Sequence, residues 1–335
     1  MALIKSLEEI KINQYDFPIF FWNNWLISMN TNVTKTFIYY NEKQGAIVPF
    51  KVNKLKLLKK ADYLYIPYDI AGKELEADSE KHFIEEFHNF LKKEKICDAI
   101  FPPTHFCNFK SIPAEVMYFK LGIIVLNIGG KEDDIFNKMT SNYRNEIRKA
   151  LKSNVKTSFD NELLNEFHSL YSIPHKLQKI RYEPIEYFEN LRNAFSKNIH
   201  VGVSYKDDSA ETAIFNIYDK INAYYFYAGA TEKTMTPGSN KLLLWDSIKH
   251  FTSLGISKYV LGGYREPKLT DKKHNGIQNF KLRFGAEIVN GYHFIKIFNP
   301  IKFRLFSIAL KIKTIIYGKE FSFINKSGLE IKKSK

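Results

Sequence analysis

Cysteine is nearly missing from this chain: Cys97 and Cys107 are the sole pair among 335 residues, with no CxxC spacing between them. That scarcity argues against a disulfide scaffold and a structural zinc site, and it fits a reducing cytoplasm. The nine histidines form no HExxH and no i, i+4 pair beside an acid, so no metal centre is expected. Long apolar runs are also wanting, since no stretch approaches the roughly 18 residues of a spanning helix. The opening MALIKSLEEIKIN carries charges where a secretory signal needs an apolar core. The expectation is a soluble cytoplasmic protein, or one peripheral at the inner face of the plasma membrane. Neither a Ser-His-Asp nor a Cys-His constellation can be assembled, and no helix-turn-helix, zinc-finger or RNA-binding aromatic signature is present.

What is there is ordinary globular material, 44% hydrophobic and 26% charged, enriched in rings by 20 Tyr and 28 Phe. The length predicts two domains of about 150 residues. A formal net charge of +14 implies an anionic partner, and the last 40 residues alone carry ten basic and two acidic side chains. Nucleotide phosphates, a tRNA backbone and an anionic membrane would each satisfy that requirement.

Alternation places a hairpin over Lys35 to Tyr40 and Gly45 to Val52, turning at Asn41 to Gln44. Phe83, Ile84, Phe87 and Leu91 have helical spacing within Lys81 to Lys93, with His82 and His88 on the helix exterior. A strand at Ala99 to Phe101 stops at Pro102-Pro103, and another at Ile123 to Ile128 leads to one basic helix from about Ile135 to Lys152. Its Met139, Tyr143, Ile147 and Ala150-Leu151 face inward, leaving Arg144, Arg148 and Lys152 as a basic stripe. Helices over Asn161 to Tyr171 and Ile185 to Lys197 come next. Strands follow over Ile199 to Tyr205, Glu211 to Tyr218 and Ala223 to Ala228, with Asp207-Asp208 as a hairpin turn. Pro237-Gly238-Ser239-Asn240-Lys241 then precedes a helix to Ser253, where unpaired N–H groups and the dipole suit an anion. The structural alternative makes Ser239 or Asn240 merely the helix N-cap.

The stretch from Gly255 to Gly285 combines a short apolar strand, Gly262-Gly263, a loop containing His274, and Gly276, Ile277, Phe280, Lys281, Phe284 and Gly285 at fixed spacing. This segment resembles the second acyltransferase domain of the FemAB-like family, whose members are built on the GNAT fold and join acyl or aminoacyl groups to amines, often on cell-envelope precursors. The resemblance spans roughly Ile123 to Phe298. It implies an α/β protein of two tandem GNAT-like domains, the first degenerate: residues 1–130, a catalytic domain over 131–299, and a basic amphipathic helix and tail over 300–335. It also implies an acceptor cleft between the domains.

In the family, the lysine at the position of Lys281 lies beside the reacting groups. Held against the Phe280 ring, it would stabilise an oxyanion or hold a phosphate; the alternative is a solvated strand lysine flanked by core phenylalanines. Gly238, Ser239, Asn240 and Lys241 sit where such folds dock the donor pyrophosphate. Arg181, in KIRYEPIEYF, matches a basic position for a substrate phosphate, and Arg144 and Arg148 match an arginine-rich entrance helix. The strand Tyr224 to Ala230 resembles the family's central strand, which runs along the acceptor cleft; alternation puts Tyr225 and Tyr227 on one face and Tyr224 and Phe226 on the other, where one tyrosine could pass a proton and core packing is the alternative. Tyr264 and Arg265 follow the glycine pair. Val260 stands where many relatives have an acid, with Glu266 the nearest replacement.

The implied reaction carries an acyl group from acyl-CoA or aminoacyl-tRNA to an amine of a phosphorylated sugar or peptidoglycan precursor, with no permanently bound cofactor. The alternative is a non-catalytic module that binds anionic lipid-linked precursors. For the segment Pro300 to Gly318, whose Ile301, Leu305, Ile308, Ile312 and Ile315 share a face, both membrane contact and packing on the protein remain open.

Overall fold

The computed structural model describes residues 1–178, 180–232, 235–266, 272–317 and 332–334, with side chains except at 272–274, 314, 316 and 317. His274 thus has its side chain outside the described residues, as does most of the loop after Glu266. Two compact units share the chain: residues 1–123 with 290–335, and residues 124–289.

The first segment of unit 1 holds β1 (Ala2–Ile4), α1 (Asn23–Ser28), β2 (Thr34–Asn41), β3 (Ala46–Lys54), β4 (Lys59–Tyr63), β5 (Tyr68–Asp69), α2 (Ala77–Lys93), β6 (Ala99–Phe101) and β7 (Met117–Asn127), whose last residues belong to unit 2. The β2–β3 hairpin keeps an unbroken register from Thr34 opposite Asn53 to Asn41 opposite Ala46. On α2 the expected residues Phe83, Ile84, Phe87 and Leu91 are fully buried. Phe87 meets the rings of Tyr39, Phe50 and Tyr63 at 4.7, 5.0 and 5.8 Å. His88 is buried too, correcting its placement on the exterior: the Tyr63 hydroxyl lies 2.9 Å from its Nε2, and burial pushes its pKa down to about 3. A polar side chain can face a core when a distant partner satisfies it.

Unit 2 runs through α3 (Glu132–Lys138), α4 (Ser141–Lys152), β8 (Lys156–Phe159), α5 (Leu164–Leu177), α6 (Ile185–Phe195), β9 (Ile199–Lys206), β10 (Ser209–Tyr218), β11 (Asn222–Ala230), α7 (Ser239–Ser253), β12 (Lys258–Tyr264) and α8 (Lys272–Leu282). Its strands are ordered β7-β12-β11-β10-β9-β8. The turn between β9 and β10 has left-handed Asp207 and Asp208, as expected of a two-residue hairpin. One sheet face carries α4, α7 and α8 over a core that includes Ile124, Tyr143, Ile147, Leu244, Ile248, Tyr259 and Phe284. On the other, α5 and α6 bring Phe167 and Phe188 against Phe215, with Tyr171 packed on both. Gly229 is required there, because a Cβ would stand 2.3 Å from the Tyr171 amide nitrogen.

The chain then returns to unit 1 through β13 (Glu287–Ile297), α9 (Pro300–Tyr317) and β14 (Lys332–Lys333). β13 pairs antiparallel with β6, Lys296 opposite Ile100, and β14 pairs with β7. Unit 1 is ordered β1-β2-β3-β4-β6-β13-β7.

Three expectations are corrected here. The single basic helix after β7 is two helices, because Met139 is extended (ψ 152°) and Thr140 starts α4. Leu151 is exposed rather than inward, while Met139, Tyr143, Ile147 and Ala150 are buried as expected. Phe280-Lys281 belongs to α8, not to a loop or strand.

Candidate functional site

β11 and β12 run parallel, but their pairing is confined to Asn222–Tyr224 opposite Lys258–Val260. Beyond Tyr224 and Val260 the strands continue to Ala230 and Tyr264 without pairing to each other. Such a gap leaves backbone N–H and C=O groups on its lips that the ladder does not use. Val260 itself is buried beside Tyr224, and Glu266 is exposed.

Tyr225 is the first β11 residue past the last pair. On α8, half-buried Lys281 places its ammonium 5.7 Å from the centre of the Tyr225 ring. Burial lowers the Lys281 pKa from 10.5 to about 8 and raises that of Tyr225. Among the described residues neither side chain has a hydrogen bond or an ion pair. An ammonium over a ring face gains some electrostatic attraction, about 0.5–2 kcal/mol, yet keeps its three donors unspent. Tyr264 and Phe280 pack at the edge of the same core. The structure therefore brings Lys281 to Tyr225, with Phe280 and Tyr264 bordering the same core.

Two contacts fix α8 in place. The Gln278 side chain, almost fully buried, accepts from the Arg265 amide at 2.6 Å and donates to the Arg265 carbonyl at 2.9 Å. Phe280 and Phe284 meet Tyr143 of α4 at 5.9 and 5.2 Å, and the Thr140 amide donates to the Arg283 carbonyl at 3.0 Å. So Arg265 is held by its backbone, and Gln278, which the sequence reading passed over, ties the end of β12 to the helix that carries Lys281. Its only sequence signal is its place three residues before Lys281, on the same helical face. Gln278→Leu is expected to cost about 1–2 kcal/mol and to lower turnover at least about fivefold. Kinetics at several pH values check this, because a displaced Lys281 also shifts the pH at which activity falls.

Tyr227 lies elsewhere. Phe215 pairs with Tyr227 and Asn216 with Tyr225, so Phe226 is the extra residue of a β-bulge. One extra residue inverts alternation, which corrects the expectation that Tyr225 and Tyr227 share a face. Tyr225 faces Tyr259, whose hydroxyl donates to Asn216 Oδ1 at 2.6 Å. Tyr227 faces Tyr171 and Phe188 at 5.3 and 5.1 Å, its hydroxyl 3.5 Å from that of Tyr187. Arg181 is exposed just before α6, next to Tyr182, which packs on His168, Tyr171 and His175.

At the start of α7, Gly238 (φ 88°) and Ser239 are buried, and the Ser239 hydroxyl meets that of Ser204 at 2.8 Å. Lys241 pairs with Glu146 at 2.7 Å and lies over the Tyr143 ring, while Asn240 is half-buried. In α4, Arg144 Nη1 donates to the carbonyls of Asn137 and Met139, closing the end of α3. Arg148 lies over the Phe136 ring at 5.4 Å. Arg144→Ala is expected to cost about 1–2 kcal/mol of stability, read as a lower melting temperature.

No group of His, Cys, Asp or Glu suited to a metal ion occurs among the described residues. No described helix is long and apolar enough to cross a membrane.

Residues 137–281 match the family model of an acetyltransferase (GNAT) domain. No curated protein sequence matches the chain. The crystal structure of FemX is similar with a TM-score of 0.68 at 13% identity, covering 91% of this chain and 99% of that one. The C-terminal domain of an Agrobacterium fabrum protein named as a lysylphosphatidylglycerol synthetase is similar with a TM-score of 0.52 at 11% identity, covering 82% and 88%. The gap between β11 and β12, the bulge at Phe226 and Lys281 all lie within the matched residues, so residues 137–281 are similar to a GNAT acetyltransferase domain and the chain shares the fold of FemX.

Proposed function

We propose that the chain transfers an acyl group from an acyl-CoA or aminoacyl-tRNA to an amino group on a cell-envelope sugar or peptidoglycan precursor. The observation that carries this reading is the unpaired Lys281 ammonium over Tyr225, at the point where β11 and β12 part. Acyl transfer needs no covalent nucleophile. A neutral amine attacks the donor carbonyl and a C–N bond forms. The C–S bond of a thioester, or the C–O bond of a tRNA ester, then breaks with its electron pair on the leaving atom. The proton shed by the amine passes to that leaving group or to water. Lys281 donates to the oxygen that becomes negative between these steps, in a site dry enough to strengthen the interaction.

The remaining assignments are part of the same proposal. Gly238 and Ser239 are buried and Lys241 is engaged by Glu146, so a donor phosphate would meet α7 through Asn240. Arg181, exposed and uncommitted among the described residues, is assigned to the acceptor's phosphate. Tyr227, whose hydroxyl hydrogen-bonds Tyr187, is the second candidate to pass a proton. The envelope acceptor is supported by the FemX-like fold and by the name of the Agrobacterium fabrum neighbour.

The test is turnover by the purified chain with acyl-CoA thioesters or aminoacyl-tRNA, offered amino-sugar and peptide precursors. Acyl-amide product supports the reading. Competition by uncharged tRNA and a steep loss with salt would assign the donor to tRNA. Binding of precursor without turnover from either donor would overturn the enzyme in favour of a binding module.

A further inference from the structure

α9 carries two apolar stripes, and among the described residues one is packed and the other exposed. On the inner side, the Phe303 ring meets Phe101 at 6.3 Å, joining a cluster with Ala99, Ile295 and Ile297. Lys302 Nζ pairs with Asp98 at 3.1 Å, and Asn299 Oδ1 accepts from the Lys302 amide at 3.1 Å. These contacts set the rotation of the helix about its axis.

The opposite side is formed by Ile301, Leu305, Ile308, Ile312 and Ile315, spaced by four, three, four and three residues, which is one continuous face of a helix. Their exposures are 75%, 54%, 46%, 51% and 81%. Arg304 and Lys311 line one edge of this face, with Lys313 beyond the other edge and Lys302 turned inward to Asp98, and residues 300–317 contain no Asp or Glu.

The geometry points to an anionic lipid surface as the partner of this face, with α9 lying flat in the headgroup region. The five aliphatic side chains leave water for the acyl boundary, while Arg304 and Lys311 extend on their own stems to lipid phosphates. Charge decides against a second copy of the chain. An antiparallel α9 pair packed on the same stripe would set Arg304 and Lys311 of one copy beside those of the other, with no acid on the helix to offset them. A phosphate-rich surface complements the Arg304–Lys311 edge. This inference stands apart from the transferase reading, since α9 lies in unit 1 and the readout is binding alone.

Sedimentation of the full chain with phosphatidylglycerol/phosphatidylcholine vesicles tests it, with pure phosphatidylcholine vesicles as the comparison. Binding is expected to the anionic vesicles and to fall with salt. Removing both cations of one edge, Arg304→Ser with Lys311→Ser, should weaken it about 30-fold, from about 1 kcal/mol per cation. Ile308→Ser with Ile312→Ser should weaken it about tenfold, with an unchanged melting temperature. No binding to anionic vesicles, equal binding to neutral ones, or indifference to both double variants would overturn the proposal. So would a lowered melting temperature in the isoleucine variant, which would mean that the stripe is packed. A lipid-free dimer abolished by that same variant would assign the face to a second copy instead.

Discussion

Lys281→Met is expected to make the protein more stable and nearly inactive at once. The wild-type ammonium is half-buried with no counter-charge among the described residues, and burial holds its pKa at about 8 against an ordinary 10.5. Between those values the unfolded chain binds more protons than the folded one, so stability rises with pH across that window. Below pH 8 the penalty for the buried charge is fully present. Discounted for the residue's partial exposure, it amounts to about 1–2 kcal/mol. Methionine fills a similar volume beside Tyr225 without the charge, so the variant should melt a few degrees higher at pH 7. That advantage should vanish as the pH approaches 10.5. Turnover should meanwhile fall about 10²- to 10³-fold, the usual consequence of removing one oxyanion donor. In the wild type, activity should decline as pH rises through about 8 and the ammonium loses its proton. Activity that instead grows through pH 8 would make Lys281 a base rather than a cation. Full turnover by Lys281→Met would remove it from the chemistry altogether.

That opposition between stability and activity explains why the GIQNFKLRFG segment was recognisable while its geometry was not. Phe280, Phe284 and Gly285 are structural: the rings meet Tyr143, and a Cβ at Gly285 would press within 2.8 Å of Lys138 Cβ. Their spacing could be matched to a family, but it does not announce a helix, because Gly276 and a run of polar residues dilute the periodicity that betrays α2. The β2–β3 hairpin was legible for the opposite reason: its alternation and turn are local. The bulge at Phe226 adds a residue whose effect depends on β10 and leaves no mark in the Tyr-Tyr-Phe-Tyr run. Gln278 finds its partner in a backbone thirteen residues away, and His88 finds Tyr63 twenty-five residues away. Polar residues satisfied at a distance read as surface until the fold is known. The return of β13 to pair with β6 is likewise non-local, since nothing in either strand names the other.

Gly238→Ala is expected to act on the fold before it acts on any ligand. The sequence suggests a phosphate cradle at this helix start, yet Gly238 has φ 88°, and a Cβ there would lie 2.1 Å from the Glu146 carbonyl oxygen and 3.3 Å from Ala150 Cβ. The obstacle is backbone at the centre of α4, so it cannot swing aside as a flexible side chain would. Either α7 separates from α4, or the helix start abandons its left-handed residue. Strain of about 1–3 kcal/mol for the backbone conformation adds to the lost packing, for a total of about 3–5 kcal/mol. In a unit of this size that lowers the melting temperature by about 10 °C. Separation would also break the Lys241–Glu146 pair and lift Lys241 from the Tyr143 ring. Because Tyr143 supports Phe280 and Phe284, the disturbance should reach Lys281 and reduce turnover even with saturating donor. Asn240→Ala is the contrasting case: half-buried and outside those contacts, it should raise the donor KM about tenfold with melting unchanged. A Gly238→Ala protein that melts like the wild type and loses only donor affinity would reverse the assignment, making the glycine a ligand contact and the close approach to α4 incidental.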